Sequence, residues 1–156
     1  ALDKWEISTP MVQVAAIATI AVETPNFYPV SEKYNGTPED YFGRLYWQNK
    51  DVAHRLGNLT QSDAVRYCGR GLIQITGRDN YELYGELLNE PLDGSPELAL
   101  VPGIATGILA AYFKRRGVAD AANARDWKRA RIRVNGGLNG WTRFIQIVEA
   151  LLPEAA

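Results

Sequence analysis

The sequence predicts a mainly α-helical domain with one small β element. Three stretches carry that reading. Met11 to Val22 is apolar nearly all round and follows Ser8-Thr9-Pro10, whose hydroxyls can cap a helix and whose proline fits a first turn. A helix without a polar face is a buried helix. Pro102 opens a second helical pattern from Gly103 to Arg116, and Gly117 stops it. Between them, Gly69, Gly71 and Gly77 frame the run Leu72-Ile73-Gln74-Ile75, which reads as a brief β-segment over residues 71–76.

In chain order, residues 1–7 read as a lead-in segment. The buried helix carries Glu23 at its C-terminal end, and Thr24-Pro25 stops it. Residues 26–37 form a polar loop in which Phe27, Tyr28 and Tyr34 are interleaved with Glu32. Those rings either line a groove or pack back on the core. Residues 39–56 give one or two short helices with Tyr41, Phe42, Leu45, Tyr46 and Trp47 as apolar members. Glu39 and Asp40 sit in the first turn after Thr37-Pro38. His54 suits a surface or capping position. Residues 57–63 read as a polar loop, and Cys68 as a small buried hydrophobe. A helix follows from Asp79 to Leu88, then a loop over 92–101 with a helical turn at 96–100. Lys114, Arg115 and Arg116 close the next helix, where its dipole favours cations. Residues 119–134 contain one further helix, rich in arginine and anchored by Trp127 and Ile132. Its basic residues form a solvated face or meet an anionic polymer. Asn135-Gly136-Gly137 breaks the chain, and Trp141 to Leu152 is a final helix ended by Pro153.

Composition narrows the function. The chain has 156 residues, 46% hydrophobic and 22% charged, which suits a single domain with a substantial core. A net charge of -1 gives no global pull towards nucleic acid or membrane. There is nonetheless a local excess: eight basic residues against two acidic ones between Lys114 and Arg133. One cysteine rules out an intrachain disulfide, and one histidine argues against a His-rich zinc site or a Ser-His-Asp triad. No apolar run is long enough to span a bilayer, and no signal peptide is read.

The chemistry is concentrated in Arg66 to Tyr81, RYCGRGLIQITGRDNY. Gln74 and Thr76 need partners if buried, or else they face a cleft. Glu23 is a carboxyl at the end of a buried helix. It is either a solvated terminus or a general acid, for which apolar surroundings and the negative helix end favour the protonated form. Asn135 offers both a donor and an acceptor, and the two glycines after it let backbone approach a ligand; the alternative is a plain turn.

The segment YCGRGLIQITGRDNY resembles the signature of family 19 glycoside hydrolases, which include plant-type chitinases and phage endolysins. Tyr67, Gly69, Arg70, Gly71, Ile73, Gln74, Thr76, Asn80 and Tyr81 fall on that pattern. AAIATIAVET resembles the family's upstream helix, with Glu23 on the catalytic glutamate and Val22 where the family usually has histidine. RVNGGLNG resembles its downstream Asn-Gly-Gly segment, with Asn135 on the substrate-contacting asparagine. The resemblance spans roughly residues 11–150.

The resemblance implies a lysozyme-like, two-lobed helical fold around a groove, and inverting hydrolysis of a β-1,4-linked N-acetylated aminosugar polymer. Glu23 would protonate the leaving oxygen. Glu32 would activate water as general base, with Glu39 and Asp40 as its competitors. In such a route the carboxyls stand roughly 6.5–9.5 Å apart. Thr76 would help hold the water, and Arg70, Gln74, Asn80, Tyr81 and Asn135 would bind substrate. No metal or cofactor is required. The single cysteine and short loops favour bacterial cell-wall peptidoglycan over chitin. The expected protein is a monomeric muramidase domain, 1–156, cut from a modular endolysin, made in the cytoplasm of a phage-infected host and acting on the wall. It neither enters a membrane nor binds nucleic acid. The alternatives are a chitinase with the same machinery and a glycan-binding module without catalysis; amide hydrolysis of peptidoglycan is disfavoured by the residue counts.

Overall fold

A computed structural model of the chain describes residue 5, residues 8–24 and residues 26–152. Residues 1–4, 6 and 7 of the lead-in segment, and the helix stops read at Pro25 and Pro153, lie outside that range. The described residues form nine α-helices, one π-helical turn, a 3₁₀ turn at Pro96–Leu100 and a two-stranded sheet. The mainly helical fold class with a small β element is therefore what the chain adopts. It divides into two compact units, residues 1–28 with 106–156, and residues 29–105.

The first unit is built on α1 (Pro10–Glu23). Thr9 caps it by accepting from the Val12 amide, Pro10 occupies its first turn, and Val12, Ala15 and Ala18 are wholly buried. Around α1 pack α7 (Val118–Asn123), α8 (Trp127–Asn135) and α9 (Trp141–Leu151). Phe144 and Val148 of α9 close on Val14 and Ala18, with Val22, Trp127 and Trp141 at the margin. α6 (Pro102–Arg115) enters this unit at residue 106 and brings Ile108, Leu109 and Phe113 into the interior. The single helix expected over 119–134 is two helices. Arg125 takes a left-handed φ of 54°, which breaks the run, and Asp126 restarts it by accepting from the Arg129 amide.

The second unit holds α2 (Pro38–Gly43), the π-helical turn Arg44–Gln48, α3 (Lys50–Arg55), α4 (Gln61–Arg66), α5 (Arg78–Leu88) and the 3₁₀ turn Pro96–Leu100. α4 takes up the end of the polar loop expected over 57–63. Thr60 and Asp63 form a reciprocal capping box there, so those polar residues start a helix. The sheet pairs β1 (Val30–Ser31) antiparallel with β2 (Arg70–Gly71), Val30 opposite Gly71 and Ser31 opposite Arg70. This corrects the strand expected over 71–76. Leu72, Ile73 and Gln74 form a turn, closed where Arg70 and Ile75 exchange backbone hydrogen bonds of 3.2 and 3.0 Å. Gly71 at φ 92° and Gln74 at φ 53° make the reversal, so apolar side chains that suit a strand instead fill a hairpin end.

Candidate active site

Each unit carries one of the two glutamates. In the first, Glu23 ends α1, and its carboxylate meets the Arg131 guanidinium at 2.8 Å (Nη1 to Oε1). The Glu23 side chain is 26% exposed and that of Arg131 only 1%. The contact is an ion pair rather than an aligned hydrogen bond, since neither of these two atoms satisfies hydrogen-bond geometry. The remaining Arg131 donors go to the Asn139 carbonyl, Nε at 2.8 Å and Nη2 at 2.5 Å, and the guanidinium lies over the Phe144 ring. The expected apolar setting of Glu23 thus contains a buried cation. Arg131 belongs to the arginine-rich stretch read either as a solvated face or as one that meets an anionic polymer; it points inward instead, with Ala130 and Arg131 forming the buried side of α8.

The Asn135–Gly140 turn is the other wall of this arrangement. Asn135 Nδ2 donates to the Asn139 carbonyl at 3.2 Å, and its Oδ1 accepts from the Gly137 amide at 3.1 Å. Its side chain closes its own turn and keeps one amide hydrogen for a ligand. Gly140 has φ 70°, and a Cβ there would lie 2.6 Å from Val22 Cγ1 and 3.3 Å from Arg131 Nη2. Val22, standing where the family resemblance leads one to expect histidine, therefore packs against a glycine. Arg143 Nε donates to the Ala21 carbonyl at 3.1 Å, satisfying an otherwise open acceptor at the end of α1.

In the second unit Glu32 follows β1. Its backbone amide donates to the Gly69 carbonyl at 2.8 Å, and its Oε2 accepts from the Gly69 amide at 3.1 Å. The Tyr46 hydroxyl stands 2.8 Å from each carboxylate oxygen. Burial, and then the hydrogen bond to Glu32, push the Tyr46 hydroxyl well above the usual tyrosine range, so it remains a donor. Tyr46 lies in the π-helical turn, whose backbone is pinned by Asn58: Nδ2 donates to the Tyr46 carbonyl at 3.1 Å, and Oδ1 accepts from the Arg78 amide at 3.2 Å. Gly69 is small for a reason. A Cβ on it would lie 2.9 Å from Glu32 Oε2 and 3.1 Å from Gln74 Oε1.

The other predicted residues divide by what their atoms already do. Gln74 Nε2 donates to the Val30 and Gly71 carbonyls at 2.7 and 2.9 Å, fastening β1 to the turn and leaving Oε1 beside Gly69. Thr76 Oγ1 donates to the Gln74 carbonyl at 3.0 Å, and Asn80 Nδ2 to the Thr76 carbonyl at 2.7 Å. Both keep oxygen lone pairs for a water or ligand. Tyr81 requires a correction. It is wholly buried, its hydroxyl donates to the Cys68 carbonyl at 2.8 Å, and direct contact with a substrate is closed to it. Arg70 Nη1 is spent on the Arg66 and Cys68 carbonyls and the Tyr81 hydroxyl, so these two residues brace the hairpin. Glu39 and Asp40 sit in the first turn of α2, with Asp40 accepting from the Thr37 hydroxyl at 2.8 Å. Cys68 is buried, and burial raises its thiol.

Sequence reasoning missed Arg131, Tyr46 and Asn58. Arg131 was one of eight basic residues, and its neighbour Ala130 was the sole hint of an inward face. Tyr46 was counted as an apolar member of a helix, which its ring is: it stacks on Phe42 at 6.1 Å.

Comparison with known proteins bears on the family and the fold. No protein-family model matches the chain. It is 35% identical over 127 residues to a glycosyl hydrolase family 19 domain-containing protein of Haemophilus influenzae, covering 78% of this chain and 57% of that protein. The chain thus spans a little over half the length of that relative. Among solved structures, a mutant of chitinase C aligns with a TM-score of 0.66 at 19% identity, over 91% of this chain and 72% of the other. Chitinase C from Streptomyces griseus aligns at 0.64 and 21% identity, over 91% and 60%. The resemblance to glycoside hydrolase family 19 read from the motifs therefore holds in sequence, and the fold is that of these chitinases.

Proposed function

We propose that this chain, alike in sequence and fold to glycoside hydrolase family 19, hydrolyses β-1,4 bonds in the glycan strand of bacterial peptidoglycan by inversion. Glu23 is the general acid and Glu32 the general base. The observation that carries the reading is the seat of Glu32: a carboxylate gripped by the Tyr46 hydroxyl and the Gly69 amide, on the segment that bears Gln74, Thr76 and Asn80. A base held by neutral donors keeps an oriented lone pair for a water. Glu23 has its own fixed seat at the end of α1, set by Arg131. Thr76 helps to hold the water, while Gln74 Oε1, Asn80 Oδ1 and the remaining Asn135 amide hydrogen contact the N-acetylated sugars.

Peptidoglycan is preferred to chitin because the chain has one cysteine and short loops, unlike the disulfide-bearing plant-type chitinases it resembles. The chitinase names of the aligned structures favour chitin as the second reading. Mass spectrometry of products from purified peptidoglycan and from chitin oligomers separates them. New reducing ends at N-acetylmuramic acid support the muramidase. Cleavage of chitin alone transfers the same machinery to the second substrate. Binding to either glycan without new reducing ends overturns hydrolysis in favour of a binding module.

A further inference from the structure

The positive charge of this chain is concentrated. Of 17 basic and 18 acidic residues, eight and two lie between Lys114 and Arg133, leaving nine and sixteen elsewhere. α8 sorts its own share by direction. Ala130 and Arg131 are buried, whereas Lys128 and Arg129 are exposed and Arg133 half-exposed. Arg129 and Arg133 are four residues apart on one helix and so lie on the same side. Arg116, just past the end of α6, joins them: its Nε donates to the Arg133 carbonyl at 3.4 Å, and Arg133 Nη1 donates to the Arg116 carbonyl at 2.6 Å.

This reciprocal contact brings two guanidinium groups together on carbonyl oxygens; the exposed Asp120 carboxylate lies near Arg133 but forms no ion pair with either arginine. Capping of helix ends explains where the two arginines are anchored. It does not neutralise them, and it does not involve Lys128 or Arg129. Among the described residues no carboxylate pairs with Arg116, Lys128, Arg129 or Arg133. Asp126 spends Oδ1 on the Arg129 amide as the cap of α8. Like charges spaced four apart on a helix repel, and an external anion removes that cost.

We propose that Arg116, Arg129 and Arg133, with Lys128 at the flank of α8, form a docking face for an anionic, phosphate-bearing polymer of the bacterial cell wall. Charge complementarity selects a polyanion. The negative balance of the rest of the chain favours a partner that touches this face alone over one that wraps the protein, as a long nucleic acid would. The choice of a wall polymer rests on the glycan reading above; the anion-binding face does not.

The test is co-sedimentation of the full chain with cell walls, before and after hydrofluoric acid extraction of phosphodiester polymers, across a salt series. The double variant Lys128→Glu/Arg129→Glu is run beside it, together with cleavage of a soluble glycan oligomer. Neither substituted side chain anchors the fold, and an unchanged melting temperature checks this. Four neutralised phosphates give a slope of log K on log salt of about -3, taking the single-strand coefficient. The expected result is retention on intact walls that falls at least tenfold on extraction and in the variant, with oligomer cleavage unchanged. Equal retention on extracted walls, or equal retention of the variant, overturns the proposal. So does tighter binding to DNA than to walls, which assigns the face to nucleic acid. Loss of oligomer cleavage in the wild-type chain, with wall binding intact, fails the hydrolase reading and leaves the docking face standing.

Discussion

Glu23 and Glu32 are the same side chain held by opposite means. Glu23 is held by charge: a guanidinium at 2.8 Å that is itself almost wholly buried. Glu32 is held by neutral donors, a phenol and a backbone amide. The difference decides what each seat tolerates. An ion pair with one buried member leaves an uncompensated charge when the other is neutralised. Neutral donors still find an acceptor in an amide oxygen, losing only the difference between a charge-assisted and a neutral hydrogen bond.

The largest expected effects break the two carboxylates separately. Glu23→Gln and Glu32→Gln should each lower glycan turnover by roughly 10²- to 10⁴-fold, the range for loss of a positioned acid or base. A variant of either that retains more than a tenth of the wild-type rate removes that residue from its role. Their stabilities should part company. Glu23→Gln leaves Arg131 without its counter-charge and should cost about 3 kcal/mol in denaturant unfolding. Glu32→Gln should cost about 1 kcal/mol or less. Equal losses would mean that the two seats are not the different devices described here.

Next in size is Tyr46→Phe. It keeps the ring stacked on Phe42 and removes only the hydroxyl. Turnover should fall roughly 10- to 100-fold through a less well aimed Glu32, with KM nearly unchanged. An equal rise in KM would give Tyr46 to substrate binding instead. Comparable in size is a pair of glycine substitutions. Gly140→Ala puts a Cβ into left-handed backbone 2.6 Å from Val22, and should cost on the order of 3 kcal/mol. Gly69→Ala meets chiefly the movable carboxylate end of Glu32, so calorimetry should show little change while turnover drops.

The smallest effect is alkaline. Burial raises the hydroxyls of Tyr46, Tyr81 and Tyr112 above the ordinary value of about 10. Arg70 beside Tyr81 and Arg116 beside Tyr112 oppose the rise in part. Tyrosinate absorbance should therefore show a component from these three that develops only above the ordinary tyrosine range. The unfolded chain releases these protons first, so their contribution to stability is complete below about pH 10 and declines as pH rises above it. Ionisation of these three at the ordinary tyrosine value in the folded protein would contradict their burial.

Much of this was legible in one dimension. The buried α1, the α6 helix with its glycine stop and the α5 helix each follow from a local pattern of periodicity and caps. The motif placed Gln74, Thr76 and Asn80 close to one another. Reading failed where one residue type serves two purposes. The Leu72-Ile73-Gln74 run has strand chemistry, but positive φ at Gly71 and at Gln74 itself turns it into a hairpin end. Tyr81 matches a family position, yet it faces inward, which a motif does not encode. Polar residues 60–63 read as loop because a capping box is made of loop-like residues.

The sequence by itself determined the helical class, the glutamate at the end of a buried helix and the glycine-framed segment, because those depend on neighbours within a few residues. Only the tertiary structure decided that Arg131 turns inward to Glu23, that Tyr46 grips Glu32, and that Arg116 and Arg133 meet. These contacts join residues 108, 14 and 17 positions apart. Burial and long-range electrostatics assign such partners, and no local pattern of residues records which of several arginines or tyrosines the folded chain will use.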